Sequence, residues 1–145
     1  MPRLFTIGYE RLLPPELVNE LRLAGVERLI DVRYRPQSRR PGMSKTRLGD
    51  LLGTRGIAYE HRKALGTPPD LRHDFHAGRI EAARAGYRKH VESTAPEALD
   101  ELAAELEHGP RTALLCLEEG PAGCHRRVLT ELMAERVPAL RVVDL

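Results

Sequence analysis

The sequence predicts a single α/β domain of three layers: a mostly parallel sheet of about five strands with helices on both faces. Three observations predict it. Short apolar runs alternate with stretches of helical spacing along the whole chain, the pattern of strand–helix–strand crossovers. Runs such as Leu29-Ile30-Asp31-Val32 and Ala113-Leu114-Leu115-Cys116-Leu117 are almost unbrokenly apolar, as strands covered on both faces require. A length of 145 residues suits one core, and no repeat, low-complexity tract or linker divides residues 1–145.

The elements follow in order. Arg3 to Tyr9 reads as a short buried strand, with Gly8 where the backbone turns or admits a close approach. Pro14 and Pro15 pre-set a helix start, Leu17, Leu21 and Ala24 line its apolar face, and Gly25 stops it. Leu29 to Arg33 is the second strand. Tyr34 to Ser44 is a loop broken by Pro36, Pro41 and Gly42. Ser44 is an N-cap for a helix carrying Leu48, Leu51 and Leu52, which Gly56 closes. Ile57 to His61 forms a third strand, and Lys63 to Pro69 a second Gly/Pro loop.

Residues 71–92 read as one or two helices, because Gly78 and Gly86 weaken any helix through them. Thr94-Ala95-Pro96-Glu97 has the pattern of a capping box. The helix it opens carries Leu99, Leu102, Ala103 and Leu106 on one stripe, and Gly109-Pro110 ends it. Thr112 to Leu117 is the fourth strand. A last helix turns Val128, Leu129, Leu132 and Met133 inward, and Ala139 to Val143 is the closing strand.

Composition narrows the function. No apolar run approaches a membrane span, and the first residues turn polar too soon for a signal peptide, so a cytoplasmic protein is expected. Two cysteines in such a chain are expected as free thiols. The net charge of +2 is too small to argue for nucleic acid, but from Arg33 to Arg47 there are six basic residues and no acidic one. The fingerprints of P-loop ATPases, of standard dinucleotide enzymes and of ordinary serine hydrolases are absent. Cys116, Cys124 and His125 match no standard zinc module, so neither a metal nor a cofactor is expected.

In a parallel sheet, ligands bind beyond the carboxyl ends of the strands. Those ends gather Gly8 and Tyr9, then Asp31, Arg33 and Arg35, then Tyr59 and His61, then Cys116 and Glu118. Cys124, His125 and Arg126 open the helix that faces them. A thiol at a helix start beside His125 and Arg126 has its pKa lowered, which makes Cys124 a candidate nucleophile, with Cys116 as its possible pair. His125 and Glu118 are candidates for proton transfer. Arg126 at a helix start, with Arg33, Arg35, Arg39 and Arg40 across the cleft, is a candidate anion site. Against each stands a structural alternative: a core cysteine, a histidine bonded to a carbonyl, an exposed loop carboxylate, an Asp31–Arg33 pair that only shapes the loop.

These residues resemble the bacterial and archaeal "domain of unknown function four-eight-eight" family over nearly the whole chain. The resemblance rests on Thr6-Ile7-Gly8-Tyr9, on Leu29 to Arg33 with Pro36 and Ser38-Arg39, and on Gly56-Ile57-Ala58-Tyr59. Leu65-Gly66, Leu115-Cys116-Leu117-Glu118 and Cys124-His125-Arg126 complete it. It implies an α/β fold with a cleft at these positions and no particular reaction. Glu10 departs from the small hydroxyl residue expected there, which speaks against phosphate binding by that turn. A second likeness, to rhodanese-type sulfurtransferases, lies in the Ile-Asp-Val-Arg strand and the strand–Cys–loop–helix corner. Pro121 and Ala122 stand where that fold's anion cradle needs a basic residue.

Three functions are therefore expected to compete. The first is an enzyme acting on a phosphate-bearing small molecule or nucleic acid. The second is a thiol-dependent redox or sulfurtransferase-like protein using Cys116 and Cys124. The third is a non-catalytic nucleotide or nucleic-acid binding module.

Overall fold

In the computed structural model, which describes residues 2–117 and 124–145, the strands are β1 (Arg3–Gly8), β2 (Arg28–Asp31), β3 (Ala58–His61), β4 (Thr112–Cys116) and β5 (Arg141–Asp144). All are parallel and form one sheet in the order β3-β2-β4-β1-β5. The helices among the described residues are α1 (Pro14–Leu23), α2 (Lys45–Gly53), α3 (Pro69–His76), α4 (Ile80–Thr94), α5 (Pro96–His108) and α6 (Arg126–Arg136). A short 3₁₀ turn at Lys63–Leu65 precedes α3. The single α/β fold class expected from the sequence is therefore what forms.

The strand order explains which face each helix covers. The connections from β1 to β2 and from β2 to β3 run one way along the sheet. Those from β3 to β4 and from β4 to β5 run back. Crossovers of one hand must then put the first two on one face and the rest on the other. Alternation along the strands matches this. Phe5, Ile7, Leu29, Ala113 and Leu115 pack with Leu17, Leu21, Leu48 and Leu52 of α1 and α2. Leu4, Ile30 and Leu114 face the other way, onto Tyr87, Val91, Leu99, Leu102, Leu129 and Leu132 of α4, α5 and α6. Each cluster holds fully buried leucines on its own side of the sheet, so both faces contribute apolar burial to stability.

Local chemistry sets the element ends. Gly25 and Gly56 take positive φ, 73° and 74°, just past α1 and α2, where a side chain would be strained. Residues 71–92 belong to two helices, parted by Gly78 at φ 84°. Gly86 lies inside α4 for a packing reason: a Cβ there would stand 2.7 Å from Leu71 Cδ2 of α3.

Two capping expectations are corrected. Thr94 does not cap α5; it ends α4, its hydroxyl donates to the His90 carbonyl at 2.8 Å, and Ala95 stands at the α5 N-cap. Ser44 does hold the N-cap position of α2, but its hydroxyl is used by the loop: it accepts from Ser38 N–H at 2.9 Å and lies 3.2 Å from the Ser38 carbonyl. The second strand ends at Asp31 rather than Arg33, because the Asp31 carboxylate bonds the Arg33 N–H and bends the chain off the sheet.

Candidate functional site

The connections leaving β2 and β4, which are neighbours, run in opposite directions. Such a divergence opens a crevice beyond the carboxyl ends of the two strands. Here the crevice is a cleft of about 480 Å³ including its open mouth. Tyr9, Arg33, Thr67, Cys116, Cys124 and His125 line it, together with Tyr34, Arg35, Gln37, Arg72, Phe75 and Leu117.

One wall is built on the Asp31 carboxylate, which is fully buried at the end of β2. It accepts from Arg33 Nε at 2.9 Å and from a terminal guanidinium nitrogen at 2.7 Å, a forked ion pair, and also from the Arg33 main-chain N–H at 3.1 Å. The Tyr59 hydroxyl donates to its other oxygen. The remaining Arg33 nitrogen donates to the Met43 carbonyl at 2.8 Å and lies 3.3 Å from the Tyr9 hydroxyl. Burial alone would lower the Arg33 pKa; the hydrogen bonds and charge of Asp31 outweigh it and hold Arg33 above its ordinary range. Burial, then the bond to Asp31, raises the Tyr59 phenol. His61 joins the same wall, with Nε2 2.7 Å from the Arg33 carbonyl.

The opposite wall is the start of α6. His125, 6% exposed, donates from Nε2 to the Val32 carbonyl at 2.8 Å, tying α6 to the end of β2. Tyr87 meets its ring edge-on, with centroids 5.0 Å apart. Burial pushes the His125 pKa down to about 4; the Val32 bond opposes this, and the charges of Arg126 and Arg72 add to it. At neutral pH the ring is uncharged. With its proton on Nε2, the other nitrogen, Nδ1, is an acceptor, and it stands 3.4 Å from Cys124 Sγ.

Cys124 is joined to Cys116 as a disulfide, so the expectation of two free thiols is corrected. The pairing has a plain cause. Cys116 ends β4 on the face covered by α6, Cys124 leads into α6, and both belong to the same buried cluster. Both residues line the cleft.

The structure separates the remaining sequence candidates. Gly8 ends β1 in register with Cys116, and the pairing continues as Tyr9 N–H donates to the Cys116 carbonyl at 3.2 Å and Glu10 N–H to that of Leu117 at 2.8 Å. Arg126 does not reach across the cleft to Arg33. It is fully buried and donates to the Thr6 hydroxyl at 3.0 Å, and Thr6 in turn donates to Asp144 at 2.5 Å. Arg40 is likewise spent on main chain, donating to the Tyr9, Glu10 and Leu12 carbonyls. Arg39 is exposed in the loop, away from the cysteine cleft. Glu118, with 119–123, lies outside the described residues.

Sequence reasoning missed Thr67, Arg72 and Phe75. Thr67-Pro68-Pro69, a hydroxyl residue ahead of a proline pair, marks a helix start, and Arg72 follows in the first turn of that helix. Gly66 explains how Thr67 gets so close to the Arg35 loop: a Cβ on Gly66 would stand 2.6 Å from Tyr34 Cα and 2.7 Å from Tyr34 N.

Two predictions follow from this geometry. Asp31→Asn leaves the Arg33 guanidinium buried without its counter-charge, at a cost of about 3–5 kcal/mol in chemical denaturation. A loss under about 1 kcal/mol, the value of an exposed pair, would contradict the buried-pair account. His125 binds a proton in the unfolded chain near pH 6.5 but only near pH 4 when folded. Its contribution is therefore complete above pH 6.5 and lost as the pH falls toward 4, by roughly 3 kcal/mol in all. Urea unfolding at pH 7 and pH 4.5 is expected to show this loss in the wild type and a smaller one in His125→Gln. Equal losses would contradict a buried neutral ring.

Among the described residues no helix is long and apolar enough to cross a membrane. No curated protein and no solved structure matches the chain. A family model does: the domain of unknown function DUF488 matches residues 14–133, which runs from the start of α1 into α6 and includes the residues named as lining the cleft except Tyr9. The chain belongs to the DUF488 family.

Proposed function

We propose that the cleft is a thiol–disulfide centre in which Cys124 and Cys116 exchange electrons with a sulfur-containing substrate. The observation that carries this reading is the pairing of the two cysteines at the sheet's switch point, with the acceptor nitrogen of His125 3.4 Å from Cys124 Sγ. In the reduced protein the Cys124 thiol donates its hydrogen bond to His125 Nδ1. The N-terminal end of α6 and the buried Arg126 favour the thiolate. The thiolate attacks one sulfur of a substrate disulfide and releases the other half as a thiolate, leaving a mixed disulfide on Cys124. Cys116 then attacks the Cys124 sulfur, forms the protein disulfide and releases the second thiolate. The two protons of the protein dithiol end on the two product thiols, and two electrons pass from protein to substrate. A substrate dithiol or pair of thiols drives the reverse.

His125 is a hydrogen-bond acceptor here rather than a lasting proton store, since its ring is uncharged at neutral pH. The reading predicts that alkylation followed by mass measurement finds no free thiol in the oxidised protein and two after reduction. It also predicts that Cys124 in Cys116→Ser titrates below the ordinary thiol value of about 8.5. Two thiols that stay free in excess oxidised glutathione would sink the proposal, as would an unshifted Cys124 titration.

A second reading, an enzyme or binding module for phosphate-bearing molecules, has support of its own away from the cysteines. An open groove at the start of α2 is lined by Arg39, Arg40, Lys45 and Arg47 and by no acidic residue among those described. Arg40 is engaged with main-chain carbonyls; Arg39, Lys45 and Arg47 extend no side-chain bond to a described residue. For single-stranded nucleic acid, three such contacts give a binding constant falling with salt at a log–log slope of about −2. A flat salt profile, or no binding at low salt, removes this reading. It is supported less than the first, because Arg33 and Arg126, which were expected to hold phosphate, are both held inside the fold.

A further inference from the structure

Beside the cysteine cleft lies a second hollow of about 550 Å³ including its open mouth. Tyr34, Arg35, Thr67 and Arg72 line both, so the two are one continuous groove. Its polar groups are of two kinds. Thr67 is 5% exposed, and its hydroxyl has no hydrogen-bond partner among the described residues, although such a group loses free energy when buried alone. Arg35 and Arg72 are exposed at the mouth and have no ion-pair or hydrogen-bond partner among the described residues. Other arginines of the same half of the molecule are taken: Arg33 by Asp31, Arg62 by Glu60 and Glu105, Arg79 by Asp74, Arg84 by Glu131 and Arg88 by Glu135. No acidic residue among those described lines either hollow. Two free guanidinium groups and one unsatisfied buried hydroxyl thus converge on a space that opens directly onto the cysteine pair.

We infer that this groove selects an anionic sulfur compound: a small disulfide, or the thiol it yields, with a carboxylate or phosphate a few bonds from its sulfur. The inference rests on the thiol–disulfide reading above and names its substrate class. The acidic group sits between Arg35 and Arg72 and accepts from the Thr67 hydroxyl, while the sulfur reaches the cysteines. Guanidinium groups suit either acid, since both present paired oxygens to a planar fork. The step is the exchange already written: the protein dithiol becomes a disulfide, the substrate disulfide becomes two thiols, and no other oxidant or reductant enters.

The test compares the rate at which the reduced protein is oxidised by dithiodipropionate, which carries two carboxylates, and by hydroxyethyl disulfide, which is neutral. The dicarboxylate is expected to react faster, by about tenfold or more at low ionic strength, with the advantage shrinking as salt rises. Arg35→Gln with Arg72→Gln is expected to remove most of that advantage, read as the ratio of the two rates, in which any effect of the lost charges on the cysteines themselves is common to both disulfides and cancels. Thr67→Val, which keeps the shape and deletes the hydroxyl, is expected to reduce the advantage in part and leaves the cysteines untouched. Equal rates for the two disulfides in the wild type, or an arginine variant that slows both alike, overturns the anion subsite and leaves the thiol centre standing. Failure of both disulfides to oxidise the pair overturns the thiol reading and this inference with it.

Discussion

The organisation of the cleft depends on a single buried anion. Asp31 ends β2 with no solvent access, and a carboxylate in that position must be surrounded by donors. Arg33 wraps back to supply them from side chain and main chain, and Tyr59 adds another from β3. The same guanidinium then holds the Met43 carbonyl, which fixes the far end of the loop that begins at Tyr34. Its central carbon lies 5.2 Å from the centre of the Tyr9 ring, over which that of Arg40 also stands at 5.9 Å. One ion pair therefore sets the positions of the ends of β2 and β3, of Tyr9 just beyond β1, and of the loop between β2 and α2.

Arginine in this molecule does two different jobs, and burial tells them apart. Arg33, Arg40 and Arg126 use their forks on carbonyls, a hydroxyl and a carboxylate, and they hold backbone in place. Arg35 and Arg72 make no such bonds to the described residues and stand at the edge of the groove. A positive charge that is satisfied within the fold offers little to a ligand. One that is unsatisfied and exposed costs little to keep and remains available. The cleft is accordingly divided between a wall on the β2 side built on the satisfied Asp31–Arg33 pair and a wall on the α6 side that carries Cys124 and His125, with the Val32 carbonyl and His125 joining them.

Most of the fold was legible in the chain, because burial on both faces leaves a strong apolar signature in β1, β2 and β4 and because Gly25 and Gly56 punctuate the helices. The gathering of Tyr9, Arg33, Cys116 and His125 at one rim was legible for the same reason: it follows from parallel strands alone. The role of each side chain was less legible. Arg126 sits at a helix start, where an anion site is the natural reading, but its long side chain turned inward to Thr6. Thr94 had the spacing of a capping residue, yet a preceding helix claimed it. Thr67 belongs to the Gly/Pro loop before α3 and Arg72 to the stretch where Gly78 and Gly86 obscured the helices, so their approach to the cysteines depended on a long connection that no local pattern specifies.

Gly66 shows how much a residue can decide while contributing nothing to the lining. Its α-carbon passes the Tyr34 backbone with no room for even a methyl group. Two segments about 32 residues apart in the chain are thereby brought flush, one carrying Arg35 and the other Thr67. The gauge of the opening is set by a missing side chain, so its width is written in the backbone rather than in the residues that line it.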